Sequence, residues 1–129
     1  MQKKLFRLLV VGSRSINDYN FVQERLDYFL SKIREEYEIE IVSGGAKGVD
    51  ALAERYAKEK GYELKVFPAD WNTYGNRAGY IRNEEMHRYI AELENRGVVA
   101  FWDGKSKGTL HSKELAKKYK NPIRWVRKD

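Results

Sequence analysis

The feature that most constrains the fold is a repeated alternation of two hydrophobic periods along the chain. Apolar runs such as 5–11 and 98–102 are typical of strands buried on both faces of a parallel sheet. Between such runs, apolar residues recur three and four positions apart, as at Val22, Leu26 and Leu30, which is the pattern of an amphipathic helix. Five strands separated by helices predict an α/β fold with right-handed crossovers.

The order of these elements predicts a Rossmann-like three-layer sandwich. We expect a five-stranded parallel sheet in the order 3-2-1-4-5, with helices on both faces and the two most apolar strands, the first and fourth, side by side. The strand at 123–127 alternates apolar and charged residues and should lie at an edge. A chain of 129 residues has the length of one domain, which we place at 1–129.

Local signals predict where the helices begin and end. Asn20 and Gln23 are spaced like an N-terminal capping pair for the first helix. Gly97 is predicted to end the third helix, which should follow a long loop from Pro68 to Asn76.

Composition excludes several classes of protein. Because the chain contains no cysteine, it has no disulfide framework, thiolate zinc site or cysteine nucleophile, which agrees with a reducing cytoplasm, where we place the protein. No apolar run approaches the ~20 residues of a membrane span, so we expect no membrane association. The two histidines, His87 and His111, have no partners at metal-ligand spacing, and we predict neither a metal site nor another cofactor.

The net charge of +6 and the pI of about 9.4 favour anionic partners. Much of the excess lies in 113–129, with seven lysines and arginines against two acids. This basic segment is either a solvated face or a contact surface for nucleic acid, and the sequence leaves both alternatives open. The sequence also leaves open whether the chain forms a homo-oligomer.

Three similar loops follow predicted strands, at the sheet edge where such folds bind ligands. Glycines allow backbone N–H groups to approach an anion, and hydroxyls and cations complete a phosphate site. The candidate ligand-binding residues of these loops are Gly12, Ser13, Arg14, Gly44, Gly45, Lys47, Gly48, Asp50, Gly104, Lys107, Gly108 and Thr109.

The third helix adds Arg82 and Asn83, which extend its buried stripe toward the same edge. A cation near a helix N-terminus is electrostatically unfavourable, so we expect it to face a negative group. That group is either a ligand phosphate or carboxylate, or an internal carboxylate at Asp50, Asp70 or Asp103. Asp50 itself either caps loop amides or takes part in catalysis.

The aromatic residues Trp71, Tyr74 and Tyr80 flank the long loop, where they either form a lid that stacks on a base or simply pack.

Neither Gly-x-Gly-x-x-Gly after the first strand nor Gly-x-x-x-x-Gly-Lys-Ser/Thr is present, which argues against a dinucleotide dehydrogenase and a P-loop NTPase. The sequence identifies no catalytic residue.

Together the motifs resemble those of the SLOG superfamily, and most of all its YspA-like branch of small bacterial and phage proteins. The resemblance rests on the segments 12–14, 43–50 with 52–53, 78–79 with 82–83, and 104–109. It implies a Rossmann-like fold that binds nucleotides or nucleotide-derived ligands. Superfamily members include LOG-type phosphoribohydrolases and the DNA-processing protein DprA.

One departure from the LOG-type pattern concerns catalysis. Those enzymes carry Pro-Gly-Gly-x-Gly-Thr-x-x-Glu, and here the glutamate position falls on Ser112, whereas Gly108 and Thr109 match. We therefore expect a sensor that binds a nucleotide or nucleotide-derived phosphate compound. The alternatives are a LOG-like N-glycoside hydrolase, active at most as a weak phosphoribohydrolase, and a DprA-like DNA-binding module.

Overall fold

The computed structural model describes residues 3–128, which form a five-stranded sheet and its connecting helices. The strands are β1 Lys4–Gly12, β2 Tyr37–Ser43, β3 Glu63–Val66, β4 Arg96–Trp102 and β5 Ile123–Arg127. The helices are α1 Tyr19–Leu30, α2 Ile33–Glu36, α3 Val49–Lys60, α4 Trp71–Tyr74, α5 Ala78–Ile90 and α6 Lys107–Lys118, with a 3₁₀ turn at Gly75–Arg77 between α4 and α5.

The sheet confirms the predicted topology. Its order is β3-β2-β1-β4-β5, and each neighbouring pair is parallel. Leu9 of β1, for example, lies between Val42 of β2 and Val98 of β4. The connection from β1 leads toward β2 and that from β3 leads toward β4, so the chain reverses direction across the sheet between β1 and β4. A crevice is expected at the carboxyl ends of these two strands.

Alternate residues of the central strands are buried in opposite layers. Leu8 and Val10 pack with α1 and α3, whereas Leu9 and Val11 pack with Met86 and other residues of α5. This two-sided burial explains why β1 is a continuous apolar run. Burying a leucine or valine side chain stabilises a fold by roughly 1.5–3 kcal/mol, so these strands fix the frame that carries the loops.

Two predicted helix boundaries are wrong. The N-cap of α1 is Asp18, whose carboxylate accepts a hydrogen bond from the Phe21 amide, while Asn20 lies within the helix. Helix α5 ends at Ile90, and Gly97 lies in β4, where a Cβ atom would be 3.5 Å from the Phe6 ring. A Cβ atom at that distance would make an ordinary van der Waals contact, and Gly97 is a buried strand residue rather than a helix end.

Strand β5 is an edge strand, as predicted from its alternating pattern. The long third connection contains α4 and the 3₁₀ turn instead of being an irregular loop. Over residues 3–128, every helix is too short or too polar to cross a lipid bilayer.

Candidate functional site

A cavity of about 480 Å³ opens at the carboxyl ends of β1 and β4. Half of the fourteen candidate ligand-binding residues line it: Gly12, Arg14, Asp50, Arg82, Asn83, Gly108 and Thr109. The other seven, which do not line it, are Ser13, Gly44, Gly45, Lys47, Gly48, Gly104 and Lys107. Loops that look alike in the sequence thus differ in the structure, because some of their residues line the cavity and others do not.

Gly12, Ser13 and Gly48 join the first two loops. A Cβ atom on Gly12 would lie 2.5 Å from the side chain of Val49, and one on Gly48 would lie 2.5 Å from the Cα atom of Arg14. Buried Ser13 accepts a hydrogen bond from the Val49 amide on its carbonyl, and one from the Asp103 amide on its hydroxyl at 3.0 Å. These contacts explain the residue types by packing, without a ligand.

Other candidates in the loops point away from the cavity. Gly45, Lys47 and Lys107 are exposed to solvent outside it. Gly104 adopts a φ of 88°, a left-handed conformation that favours glycine, and it packs against the guanidinium of Arg127. The sequence pattern cannot distinguish these positions from those that face the cavity.

The N-terminus of α6 lies at the cavity, where its first residues form part of the lining. Ser106 caps the helix by accepting a hydrogen bond from the Thr109 amide at 3.2 Å. The Gly108 amide donates to no group within 3–128, and a Cβ atom on Gly108 would meet nothing within 4 Å. An open amide at a positive helix end can bind an anionic oxygen.

Asp103 shapes the loop before α6. Its carboxylate accepts hydrogen bonds from the Ser15 hydroxyl at 2.6 Å and from the amides of Lys105 and Ser106 at 2.8 and 2.9 Å. These bonds, that of Ser15 first, hold the pKa of Asp103 well below its usual range. Asp103 therefore stays ionised, with its charge committed to the loop.

The guanidinium of Arg82 has a partner that was not foreseen. Within residues 3–128, no carboxylate oxygen lies within 4.0 Å of it, so it forms no ion pair with Asp50, Asp70 or Asp103. Instead, Nη1 donates to the Gly44 carbonyl, and Nε donates to Asn83 Oδ1 at 2.9 Å. The remaining nitrogen, Nη2, has no partner in the described chain.

Asp50 lies beside Arg82, on the opposite side of Gly44. Ideal Cβ geometry at Gly44 would place that atom 2.9 Å from both Asp50 Oδ2 and Arg82 Nη1, so any larger residue would collide with both. Oδ2 accepts from the Ala46 amide at 3.2 Å. Burial raises the pKa of Asp50 to about 6, although the Ala46 amide and the charges of Arg82 and Arg14 act in the opposite direction.

Two cations and two aromatic rings were only partly foreseen as parts of the site. Exposed Arg14 and Lys105 line the cavity, and neither side chain has a hydrogen bond or ion pair within 3–128. Trp71 and Tyr80, 50% and 48% exposed, also line it. Tyr74 is 47% exposed but lies outside the lining.

Four polar residues that the sequence pattern did not predict as site residues also line the cavity: Ser15, Asn76, Lys105 and Ser106. For Ser106, a signal was present, since a serine three residues before Thr109 is the spacing of an N-cap. The position of Ser15 could not be found this way, because its partner Asp103 is 88 residues away.

Ser112 lines the cavity on α6, one turn beyond Gly108. Its side chain is fully buried, and its hydroxyl has no hydrogen-bond partner within the described residues. A buried hydroxyl without a partner costs about 1–3 kcal/mol, so a group that enters the cavity and bonds to it gains that much. In the part of the chain from 3 to 128, no three His, Asp or Glu residues are grouped to hold a metal ion.

A family model described as the YspA, cpYpsA-related SLOG family matches residues 6–74. This segment contains the first two loops and more than half of the chain. The chain belongs to the YspA-related SLOG family. The Gene 61 protein of Mycobacterium phage D29 is 35% identical over 122 residues, which cover 91% of this chain and 93% of that protein.

Two solved structures share the fold of this SLOG chain. DprA from Streptococcus pneumoniae superposes with a TM-score of 0.64 at 20% identity, over 97% of this chain and 51% of that one. TM1055 superposes with a TM-score of 0.62 at 19% identity, over 92% of this chain and 72% of that one. The chain therefore spans about half the length of DprA, and at these identities the likeness concerns the fold alone.

Proposed function

We propose that this chain binds a nucleotide or a nucleotide-derived phosphate compound in the cavity and acts as a sensor of it. The observation that carries the proposal is the open Gly108 amide at the positive end of α6, in a cavity that also contains the unpaired cations Arg14 and Lys105. These groups suit a phosphate, and the exposed rings of Trp71 and Tyr80 suit a base. Membership of the SLOG family supports the same ligand class.

Binding without cleavage is favoured by the residue at position 112. The LOG-type pattern has a glutamate there, whereas this chain has a serine. Of the two carboxylates that line the cavity, Asp103 is committed to its own loop, and Asp50 is tied to the Ala46 amide. We therefore propose that N-glycoside hydrolysis is not the main activity.

Part of the basic C-terminal segment, at the end of α6, lies away from the cavity, whereas Lys113 and Arg127 lie close to it. Helix α6 begins at the cavity and runs back along the sheet, so Lys117 and Lys118 lie near the opposite edge. Lys118 is paired with Glu84 at 2.5 Å. The position and pairing of these lysines favour a small ligand at the cavity over nucleic acid held by the end of α6.

A melting screen tests the proposal. Nucleoside mono-, di- and cyclic phosphates should raise the melting temperature, and the matching nucleosides should not, because the site selects phosphate. At a concentration of 100 times the dissociation constant, the gain is about 2.7 kcal/mol. A screen in which no phosphate compound raises the melting temperature rejects the proposal.

A matched pair of variants locates the binding site. Arg14→Gln should weaken nucleotide binding roughly tenfold, the scale of one lost charge-assisted hydrogen bond. Arg25→Gln removes an exposed arginine that lies outside the cavity and should leave affinity unchanged. Chromatography of the nucleotide after incubation should recover it intact, and release of free base at enzymatic rates would instead support the hydrolase alternative.

A further inference from the structure

Asp50 is an unusual residue for a cavity that suits anions. It is only 7% exposed, and it stands at the start of α3 with one oxygen, Oδ2, bonded to the Ala46 amide. The other oxygen, Oδ1, accepts no hydrogen bond from the described chain, although the residue lines the cavity. A negative charge here opposes phosphate binding, so the bond to one amide does not explain why a carboxylate lines this cavity.

A chain of contacts places Asp50 relative to the aromatic rings. A Cβ atom added to Gly79 would lie 3.6 Å from the Trp71 ring and 3.7 Å from Nη2 of Arg82. Arg82 and Asp50 then flank Gly44. Asp50 is thus linked to Trp71 through Arg82, and all three residues line the cavity.

Ser112 is a second polar residue of the cavity lining whose side chain a ligand can satisfy. Its fully buried hydroxyl lines the cavity without any partner, and it can donate or accept one hydrogen bond. A phosphate alone supplies acceptors only and leaves Asp50 Oδ1 without a donor. A ligand that satisfies both residues must carry hydroxyl or N–H groups next to its phosphate.

We infer that Asp50 and Ser112 bind the pentose hydroxyls of the ligand, so that the site prefers a ribonucleotide to the matching nucleotide that lacks its 2′- or 3′-hydroxyl. The pentose is the part of a nucleotide that lies between phosphate and base, and both residues line the cavity that also contains the α6 amide and the aromatic rings. A carboxylate oxygen that accepts from a hydroxyl forms a charge-assisted bond. This inference rests on the proposed function, since it assumes a nucleotide in the cavity.

The experiment compares AMP with 2′-deoxy-AMP and 3′-deoxy-AMP by titration calorimetry at pH 7.5. Wild-type protein should bind AMP roughly tenfold more tightly than at least one deoxy form, which is the effect of one charge-assisted hydrogen bond. The Asp50→Asn variant keeps an oxygen for the Ala46 amide, and in it the affinities should converge to within about twofold. Ser112→Ala should reduce the ratio of the AMP affinity to the deoxy-AMP affinity without bringing it to one.

The matched control is Glu54→Gln, which removes a neighbouring negative charge from α3 outside the cavity. It should keep the wild-type ratio. Equal affinity of the wild type for all three nucleotides, or a ratio that persists in Asp50→Asn, overturns the inference. Repeating the comparison with GMP and 2′-deoxy-GMP separates a hydroxyl partner from a base N–H, because a base partner makes affinity depend on the base and not on the sugar.

A measurement on the wild type alone covers the case in which Asp50→Asn fails to fold. Protonation of Asp50 below about pH 6 should reduce the AMP to deoxy-AMP ratio at pH 5. The charged groups that act on Asp50 are Arg14, Arg82 and Glu54, and phosphate titration cancels in the ratio. A ratio that is the same at pH 5 and pH 7.5 counts against the role of Asp50.

The possible failures can be told apart. Binding of inorganic pyrophosphate and of all nucleotides, without sugar preference, overturns this inference but leaves the proposed function standing. Failure of pyrophosphate and every nucleotide to bind removes both.

Discussion

Replacing Arg82 by alanine tests whether this residue binds a ligand or only ties two elements together. In the apo protein, the substitution removes the bond to the Gly44 carbonyl and the bond to Asn83. One charge-assisted bond accounts for about 1.5–3 kcal/mol, and part of this is recovered when water reaches the half-buried site. We expect Arg82→Ala to lower the free energy of unfolding by about 1–3 kcal/mol.

The same substitution should also weaken ligand binding. The free Nη2 nitrogen lies at the cavity, where it can donate to an anionic oxygen, and its loss should reduce affinity roughly tenfold or more. Urea unfolding gives the first quantity, and calorimetric titration with AMP gives the second. The two measurements together separate structural from ligand contacts.

Two further variants make the Arg82 experiment decisive. Arg88→Ala removes an exposed arginine from the same helix and should leave AMP affinity unchanged. Arg82→Lys keeps the charge but cannot replace the forked geometry, so it should restore affinity only in part. If Arg82→Ala destabilises the protein and binds AMP as tightly as wild type, Arg82 is a structural tie and our site assignment is refuted.

Two other predictions concern the basic segment and the response to acid. Replacing Lys113, Lys117 and Lys120 by glutamine should change stability by only a few tenths of a kcal/mol each and leave the nucleotide-induced rise in melting temperature intact; loss of that rise would favour the nucleic-acid alternative. Burial lowers the pKa of His87 to about 4, so the contribution of neutral His87 to stability is present above pH 6.5 and is lost as the pH falls toward 4. The raised pKa of Asp50 has the opposite effect, because protonation of Asp50 adds stability as the pH falls through about 6. In urea unfolding between pH 4.5 and 7, Asp50→Asn should therefore lose stability toward acid more steeply than wild type, by at most ~1.4 kcal/mol per pH unit. Equal slopes would contradict the raised pKa of Asp50.

The sheet could be predicted because its signals are local. Burial on both faces makes β1 and β4 apolar throughout, and parallel pairing with right-handed crossovers then leaves few strand orders. The start of α1 was harder, since Asp18 and Asn20 are both good caps and the choice depends on how the helix packs. Gly97 was misassigned because a glycine between an apolar helical stripe and an apolar run fits a helix end as well as it fits the start of a strand.

The site could be predicted in outline but not in its contacts. Topology alone brings the three loops and Arg82 to one edge, so their proximity follows from the strand order. The hydrogen bond from the Asp103 amide to the Ser13 hydroxyl joins residues 90 positions apart in the sequence. The hydrogen bond from Arg82 to the Gly44 carbonyl joins residues 38 positions apart. Such pairs depend on the packed structure, which is why the carbonyl partner of Arg82 was missed while its carboxylate alternatives were considered.

The glycines around the cavity differ in how much change they can tolerate. Gly12, Gly44 and Gly48 touch neighbouring atoms so closely that any side chain there must shift backbone, a helix or the Arg82 and Asp50 side chains. Gly108 faces open space and carries the free amide. Selection on the first three therefore acts through folding whatever the ligand is, whereas at Gly108, in the proposed site, a side chain would change the binding surface and leave the fold intact.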